Sequence, residues 1–515
     1  MTIPHRVFTR QHLAVSRRRK TQSLLLELDS KVDSAVYTVK VSESDRSTYR
    51  GVNSDTLFAA LPVELRVQIF RLVCDDYCSI TDITGGPILL LRVCSAWKEL
   101  ALQTPQLWTS FALNCNSRRR GPTENEFLIR AMNRWLDRSR NLPLSFEFHC
   151  PVLDATCIDL IQPLLSASPR WRDVTLHAPS TSLLPLWDAP PGRFPSMQAL
   201  SMETVGASPF LIRDLGINWA QLVKVNLFFI SIPTLDECLH ILREGVNLTQ
   251  CSMNAICVLS ANAPERFALP KLEYLQLKLY GGEHGGVLGT PEARFLVFLG
   301  ALSLPGLKSL SLGWNVTHGP GPAHWSDVDK FAAFLEGLEA HLCALHLAYF
   351  PFDTRQALRC LAAVPSLRQL TISLSHADEE HDFIDNEYLR VLTLQPGCKE
   401  ILPLLQRIRL ESHGASFSNP VLLRFIASRW RYHNHNSRTG HLERVDLFSP
   451  KRRAEYLPRR FRDVKEGRLD VTAGLKAELS MVDVLGTFLD RDSYAQTCFM
   501  NCDFPPDICS LLVFN

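Results

Sequence analysis

A short pattern of apolar and polar positions recurs along the chain after residue 165. Three apolar positions, spaced as in L-x-x-L-x-L, occur in ten copies that are 24 to 38 residues apart. Each x-L-x-L-x stretch predicts a short β-strand whose apolar side chains face a core and whose intervening side chain faces solvent. The first position of each copy is apolar: Trp171, Met197, Leu222, Leu248, Leu272, Leu307, Leu342, Leu367, Leu405 and Leu442.

Two further features accompany the repeated strand. Helical periodicity appears between some of the strands, for example over 331–338 and 354–362. A strand and a helix repeated in this way are typical of an irregular leucine-rich-repeat solenoid with a parallel strand array, an α/β fold. A proline also stands two residues before the first apolar position in six copies: Pro169, Pro195, Pro270, Pro305, Pro365 and Pro403.

The polar residue at the centre of each strand is expected to lie on one continuous face of the parallel array, where solenoids usually bind their partners. This row has one basic and one acidic member, so it lacks the basic stripe that nucleic acid requires. A target protein is the predicted ligand, and an ordinary solvated surface is the alternative. The row is Thr175, Ser201, Asn226, Ser252, Gln276, Ser311, His346, Thr371, Arg409 and Asp446. The candidate target-binding residues are Asn226, Gln276, His346 and Arg409.

Three short amphipathic segments precede the repeats. The first begins at Pro62 and has apolar residues at helical spacing as far as Val73. The second is predicted over 87–103, and a third, shorter segment begins at Pro105 and carries Phe111. Three helices in about fifty residues bury little surface. Part of their apolar face should therefore be covered by the rest of the chain or by a partner protein.

These segments resemble an F-box. The order LP-x-EL…IF, then L-x-x-V-C-x-x-W-x-x-L-A, then P-x-LW lies at 61–70, 90–101 and 105–108. The likeness is strongest to the F-box proteins of mushroom-forming fungi, which share a phrase like the WLDRS at 135–139 before an LPLS run. An insertion at 75–86 departs from the most compact F-boxes without removing an anchor position.

The resemblance implies a non-catalytic substrate-recognition subunit of an SCF-type ubiquitin ligase. The F-box would dock on the Skp-type adaptor, and through it on a cullin, while the repeats hold a target protein. By the same resemblance the adaptor contacts are Leu61, Pro62, Leu65, Ile69, Phe70, Val93, Trp97 and Trp108. For Trp97, packing among the three helices is an equally good interpretation. Two alternatives remain, namely an F-box scaffold outside any ligase and an enzyme within 450–515.

Composition changes this picture mainly by exclusion. The chain has 515 residues, of which 46% are hydrophobic and 21% charged, so it is globular and too long for a single core. The net charge of +2 gives no overall field for nucleic acid or anionic lipid, and no apolar run is long enough to cross a membrane. The predicted divisions are a weakly ordered lead-in (1–56), the F-box (57–113), a helical linker (114–165), the solenoid (166–475) and a tail (476–515).

The remaining motifs bear on compartment and chemistry. Fifteen scattered cysteines predict reduced thiols in the cytoplasm or nucleus. The first twenty-six residues are rich in arginine and lack acidic residues, so a mitochondrial targeting segment, a nuclear signal and a plain tail all stay open. The cysteine group at 498–509 lacks a fourth zinc ligand, and the chain has no P-loop, G-x-S-x-G or H-E-x-x-H motif. The sequence therefore predicts no catalytic residue, metal or cofactor.

Overall fold

The described residues form two compact units, which divide the chain numbering as follows. The first comprises 1–114 and 119–147, and the second 115–118 and 148–515. The predicted lead-in 1–56 and tail 476–515 lie outside the described residues. A computed structural model describes residues 58, 61–74, 77–115, 122–150, 155–187, 190, 192–205, 212, 215–229, 231–260, 264–281, 289–316, 325, 327–374, 382–395, 400–412, 416–431 and 442–448.

The first unit combines short helices with two hydrogen-bonded neighbouring strands. Helix α1 has Pro62 at its N-cap, Glu64 in its first turn and Arg71 in its last, so its charges suit the helix dipole. The helices are α1 (Val63–Val73), α2 (Gly86–Leu90), α3 (Ser95–Gln103) and α4 (Pro122–Arg138), and the strands are β1 (Ser110–Asn114) and β2 (Leu144–His149).

The predicted helix over 87–103 is two helices. Cys94 has an extended backbone (φ −156°), which interrupts the helical hydrogen bonds between α2 and α3. Helix α3 ends just before Thr104, because a residue that precedes a proline avoids the helical conformation. The predicted third segment is a 3-10 helix over Pro105–Trp108, and Phe111 lies on β1 instead of a helix. The predicted helical linker also contains strand β2.

All ten predicted strands are present in the second unit. They pair side by side in chain order, each parallel to the next. The strands are β3 (Trp171–Pro179), β4 (Ala199–Val205), β5 (Lys224–Phe228), β6 (Gln250–Ile256), β8 (Tyr274–Tyr280), β10 (Ser309–Asn315), β11 (Ala344–Ala348), β12 (Gln369–Ser373), β13 (Arg407–Glu411) and β14 (Arg444–Phe448). A separate parallel pair is formed by β7 (Phe267–Ala268) and β9 (Leu302–Ser303).

Helices occupy most of the crossovers that parallel strands require. Helices α7 and α10 both begin with a capping box. The side chain of the N-cap residue accepts a hydrogen bond from the backbone amide three residues later, and the side chain of that later residue accepts one from the N-cap amide. The two predicted helical stretches correspond to α9 and α10. The helices of this unit are α5 (Ala155–Ser166), α6 (Leu184–Trp187), α7 (Leu235–Glu244), α8 (Pro291–Gly300), α9 (Val328–Glu336), α10 (Thr354–Ala362), α11 (Asn386–Val391) and α12 (Asn419–Arg431).

The strand register places equivalent positions of the repeat side by side. Leu275, Leu310 and Leu345 are direct partners on successive strands, and the same apolar position continues from β3 to β14. The ten residues that open the copies are all buried. Each such side chain contributes roughly 1.5–3 kcal/mol when removed from water. The chain is therefore a mixed α/β protein with a long parallel sheet and a solenoid-like repeat.

The recurrent proline occupies a tight turn at the entry to a strand. In the turn Leu269–Leu272, the Leu272 amide donates to the Leu269 carbonyl oxygen at 3.3 Å. The same bond is 3.2 Å between Leu307 and Leu304. Proline at the second position of such a turn already has the required φ and lacks an amide hydrogen that would need a partner. The prolines therefore direct the chain into the sheet.

Candidate functional site

The first unit leaves many apolar side chains uncovered, on its helices and on the turns between them. In the described part of the chain, thirteen large hydrophobic side chains are exposed, and eight of them lie between residues 63 and 102. Isolated exposed apolar residues are normal on any protein, but a concentration of them marks an interaction site. We call these eight residues the apolar helical surface: Val63, Leu65, Leu72, Val73, Ile83, Leu89, Val93 and Leu102.

The predicted adaptor contacts fall into two groups by exposure. Leu65 is 46% exposed and Val93 is 52% exposed, whereas Phe70 and Trp108 are completely buried. Phe70 and Trp108 are therefore inaccessible in the chain alone, and their contact with a partner stays a prediction that burial makes harder to satisfy. The predicted contacts that remain at least partly accessible are Leu61, Pro62, Leu65, Ile69, Val93 and Trp97.

Aromatic rings join α1 to α3 beneath this surface. The ring centroid of Trp97 lies 5.0 Å from that of Phe70 and 4.9 Å from that of Phe58. Rings at these distances and tilts attract each other, and this attraction adds to the stabilisation that comes from burying their surface. Trp97 thus packs among the helices while one part of its ring stays accessible.

Trp108 fixes the 3-10 helix against the rest of the first unit. Its indole Nε1 donates to the Ala101 carbonyl oxygen at 2.9 Å, and its ring meets Trp135 edge to face at 4.9 Å. The guanidinium carbon of Arg138 lies 4.4 Å from the centre of the same ring. Trp108 therefore supports the helices from within and stabilises the positions of Trp135 and Arg138.

The central residues of the ten strands do form one row, as predicted. Asn226 is the direct partner of Ser201 and Ser252, and His346 that of Ser311 and Thr371. The alignment continues from the first strand of the row to the last.

Half of the row does not face solvent, however. The prediction of solvent-facing side chains is wrong for the buried members, which are Gln276, Ser311, His346, Thr371 and Asp446. Arg409 is half-buried, and its Nε donates to Glu411 Oε1 at 2.7 Å. Of the four candidate target-binding residues, Asn226 is half-buried and Gln276 and His346 are buried. The contact of all four residues with a target stays a prediction. Burial makes such contact harder for Gln276 and His346.

His346 lies between the hydroxyl groups of two serines on the neighbouring strands. Its Nδ1 lies 3.1 Å from Ser311 Oγ, and its Nε2 lies 3.4 Å from Ser373 Oγ. Burial lowers the pKa of His346 to about 4. The positive charge of Arg409 also lowers this pKa, whereas the negative charge of Glu411 acts to raise it. The imidazole is therefore neutral at physiological pH and serves as an internal hydrogen-bonded link between strands.

One accessible part of the sheet lies on β3, β4 and β5. There His177 Nδ1 is 3.0 Å from Glu203 Oε2, and Asn226 Nδ2 donates to Ser201 Oγ at 3.1 Å. We call the five residues of this region the accessible patch. Sequence reasoning missed four of them because they lie one pleat to either side of the central row. The patch is His177, Glu203, Lys224, Asn226 and Phe228.

Glu203 is ionised in this environment. Burial acts to raise the pKa of its carboxyl group, but the hydrogen bond and charge of His177, with the charges of His149 and Lys278, lower the pKa overall. The accessible patch therefore carries a fixed negative charge beside a half-buried aromatic ring and an exposed lysine. Such a mixture suits recognition of a polar protein surface.

The described residues offer little for chemistry. Burial raises the pKa of Cys251 and of Cys257 to about 12, so neither thiol is a nucleophile at neutral pH. Within the same described ranges, no group of three histidine, cysteine or acidic side chains is arranged to hold a metal ion. None of the described helices has the length and apolar character needed to cross a bilayer.

Comparison with known proteins gives distant structural likenesses alone. No family model matches the chain, and no curated protein matches it. A solved structure that it resembles is the crystal structure of the Rad7 and Elc1 complex in yeast, at 14% sequence identity and a TM-score of 0.33. The match covers 70% of this chain and 93% of that chain. A likeness of this size does not define a family.

Proposed function

We propose that this protein is the substrate-recognition subunit of an SCF-type cullin ubiquitin ligase. The observation that carries the proposal is a coincidence of two independent features. The segments that resemble an F-box are also the part of the described chain in which exposed apolar side chains concentrate. These side chains are 36–62% exposed, so covering the rest of each on docking is worth roughly 1 kcal/mol, and a partner that covers several of them binds firmly.

The weak anchoring of α1 supports docking on a Skp-type adaptor. Of the eleven residues of α1, Phe70 alone is buried, and Leu65, Leu72 and Val73 face outward. A helix this short is marginal without tertiary packing. A second polypeptide laid against its apolar residues would supply the packing that its own unit leaves incomplete.

The protein needs no catalytic group for this role. Holding a target next to a ubiquitin-conjugating partner raises the local concentration of the reacting groups, and this accelerates transfer without any side-chain chemistry here. In this proposal the buried thiols with raised pKa values are core residues.

The repeat is of the irregular leucine-rich type in this proposal, and the target protein binds on its sheet. The accessible patch is a better place for the target than the buried half of the central row. It contains Asn226 from the predicted row together with charged and aromatic neighbours. Aromatic side chains are enriched at protein interfaces.

Affinity capture of the tagged full-length protein, with the proteasome inhibited, tests the proposal. Recovery of both a Skp-type adaptor and a cullin is the expected result. Recovery of the adaptor without a cullin would favour the non-ligase scaffold, and recovery of neither would refute both. The double substitution Leu61→Ala and Pro62→Ala should abolish adaptor recovery while the repeats stay folded.

A further inference from the structure

One side of helix α4 carries three arginines in line with an exposed aromatic ring. Phe127, Arg130, Arg134 and Arg138 are spaced i, i+3, i+7 and i+11, which places them on one face of a helix with 3.6 residues per turn. Phe127 is 59% exposed, and Arg130 and Arg134 are exposed as well. We call these four residues the arginine stripe.

The arginine stripe has few ion-pair partners within the described part of the chain. Arg130 has one weak partner, Glu126, at 4.0 Å on the exposed surface. Among the described residues, no carboxylate forms an ion pair with Arg134 or Arg138. Burial and the charge of Arg134 both lower the pKa of Arg138, whose guanidinium lies over the ring of Trp108. Positive charges four residues apart therefore repel each other here.

The fold itself explains only part of this arrangement. A cation in the last turn of a helix interacts favourably with the helix dipole, and Arg138 is in that position. The dipole effect fades within one turn, so it does not account for Arg130, which lies two turns earlier. Nor does packing account for Phe127, whose ring is mostly in solvent. A ligand with complementary charge would account for both.

We propose that the arginine stripe binds an acidic segment of a partner protein. A guanidinium group can hold a carboxylate through two parallel hydrogen bonds, and three such groups lie on successive turns of α4. Phe127 adds an apolar contact at one end, and arginine and aromatic residues are the types that dominate binding at protein interfaces.

Other anionic ligands fit the same surface less well. A nucleic-acid strand is usually held by a longer basic groove with several stacking rings, whereas the stripe has one ring. A membrane surface requires a broad apolar face on the helix, whereas Phe127 is the stripe's single apolar member. The arginine stripe shares no residue with the apolar helical surface, so substitutions can test the two sites independently.

Fluorescence anisotropy with the purified full-length protein tests the inference. The probe is a labelled twelve-residue peptide of glutamate and leucine, titrated at low salt and at about 0.15 M ionic strength. We expect saturable binding that weakens with salt and is reduced about fivefold by Arg134→Gln. Phe127→Ser should also weaken it. The matched control is Arg390→Gln, an exposed arginine on α11 that loses the same charge and should bind as the parent does.

Three results would overturn the inference. These are equal loss of binding in the two arginine variants, no loss in either, and tighter stripe-dependent binding of single-stranded DNA or phosphatidylserine vesicles than of the peptide. Thermal melting separates misfolding from a binding defect, because Arg134→Gln removes a repulsion and should leave the melting temperature unchanged or raised. Adaptor binding should be unaffected by Arg134→Gln, so failure of this inference and failure of the proposed function are distinguishable.

Discussion

Gly306 lies against the backbone of Pro270 in the preceding repeat. A Cβ atom placed on Gly306 would be 2.7 Å from the Pro270 carbonyl oxygen, which is closer than such atoms approach in proteins. The two residues belong to the proline turns that enter β8 and β10. Because the neighbouring atom is backbone, no flexible side chain can move aside, and the stacking of these turns requires glycine at this position.

Gly306→Ala should therefore destabilise the second unit. Overpacking of this kind typically lowers the free energy of unfolding by about 1–3 kcal/mol. Gly300→Ala is the matched control, because a Cβ there meets nothing within 4 Å and alanine favours the end of α8. Urea unfolding of both variants measures the difference. Equal stability of the two variants would show that the repeats are not stacked this closely.

Arg429 should be essential to the last helical repeat. Its buried guanidinium donates to the carbonyl oxygens of Leu392 at 2.7 Å, Ile401 at 2.7 Å and Leu402 at 2.6 Å. Burial lowers its pKa to about 10, so the group is still charged at neutral pH. Arg429→Met removes the guanidinium donor from all three carbonyl groups, although Leu402 keeps the Leu405 amide at 3.2 Å. The substitution should lower the free energy of unfolding by about 3 kcal/mol.

The control for that prediction lies on the same helix. Arg424 is exposed on α12, so Arg424→Met makes the same chemical change without removing a buried donor. Chemical unfolding should place this variant within about 0.5 kcal/mol of the parent protein. If the two methionine variants unfolded at the same denaturant concentration, the hydrogen bonds of Arg429 would contribute nothing to stability.

His346 should make the free energy of unfolding depend on pH in the mildly acidic range. Its pKa is about 4 in the folded protein, against an ordinary value of 6.5. The unfolded chain therefore takes up a proton as the pH falls below about 6.5, while the folded protein takes it up near pH 4. The free energy of unfolding should be unaffected above pH 6.5 and should fall by up to about 3 kcal/mol between these values.

A variant that does not titrate isolates this contribution. His346→Asn keeps groups that can bond the neighbouring serines, so the fall in stability between pH 6.5 and 4 should shrink relative to the parent. His240→Gln, at an exposed position on α7, should leave the pH profile as it is. A parent profile identical to that of His346→Asn would mean that the imidazole is not buried in the neutral form.

The strands of the repeat could be predicted because every second side chain of a strand faces the same side, so burial of that side places apolar residues at every second position. The positions of Leu275, Leu310 and Leu345 fixed both the strands and their register. The burial of His346 could not be predicted in the same way. Whether the opposite face of a strand is covered depends on contacts with distant parts of the chain, which local alternation does not encode.

The first unit shows a different limit. Leu90, Val93 and Trp97 have helical spacing, yet two helices separated by an extended Cys94 present the same spacing as one. The accessible patch escaped prediction because its charged residues lie outside the repeated motif. The spacing of Phe127, Arg130, Arg134 and Arg138 along α4 can be read from the sequence. It indicates a binding surface only when the exposure of Phe127 is also known.

Direct binding of a Skp-type adaptor to the full-length protein is the measurement that tests the central claim. Isothermal titration should give a dissociation constant that Val246→Asp leaves unchanged and that Val93→Asp weakens by at least about a hundredfold. The two valines are matched, with exposures of 51% and 52%, but Val93 alone belongs to the apolar helical surface. Absence of binding by the parent protein, or equal affinity of the two variants, would contradict docking through that surface.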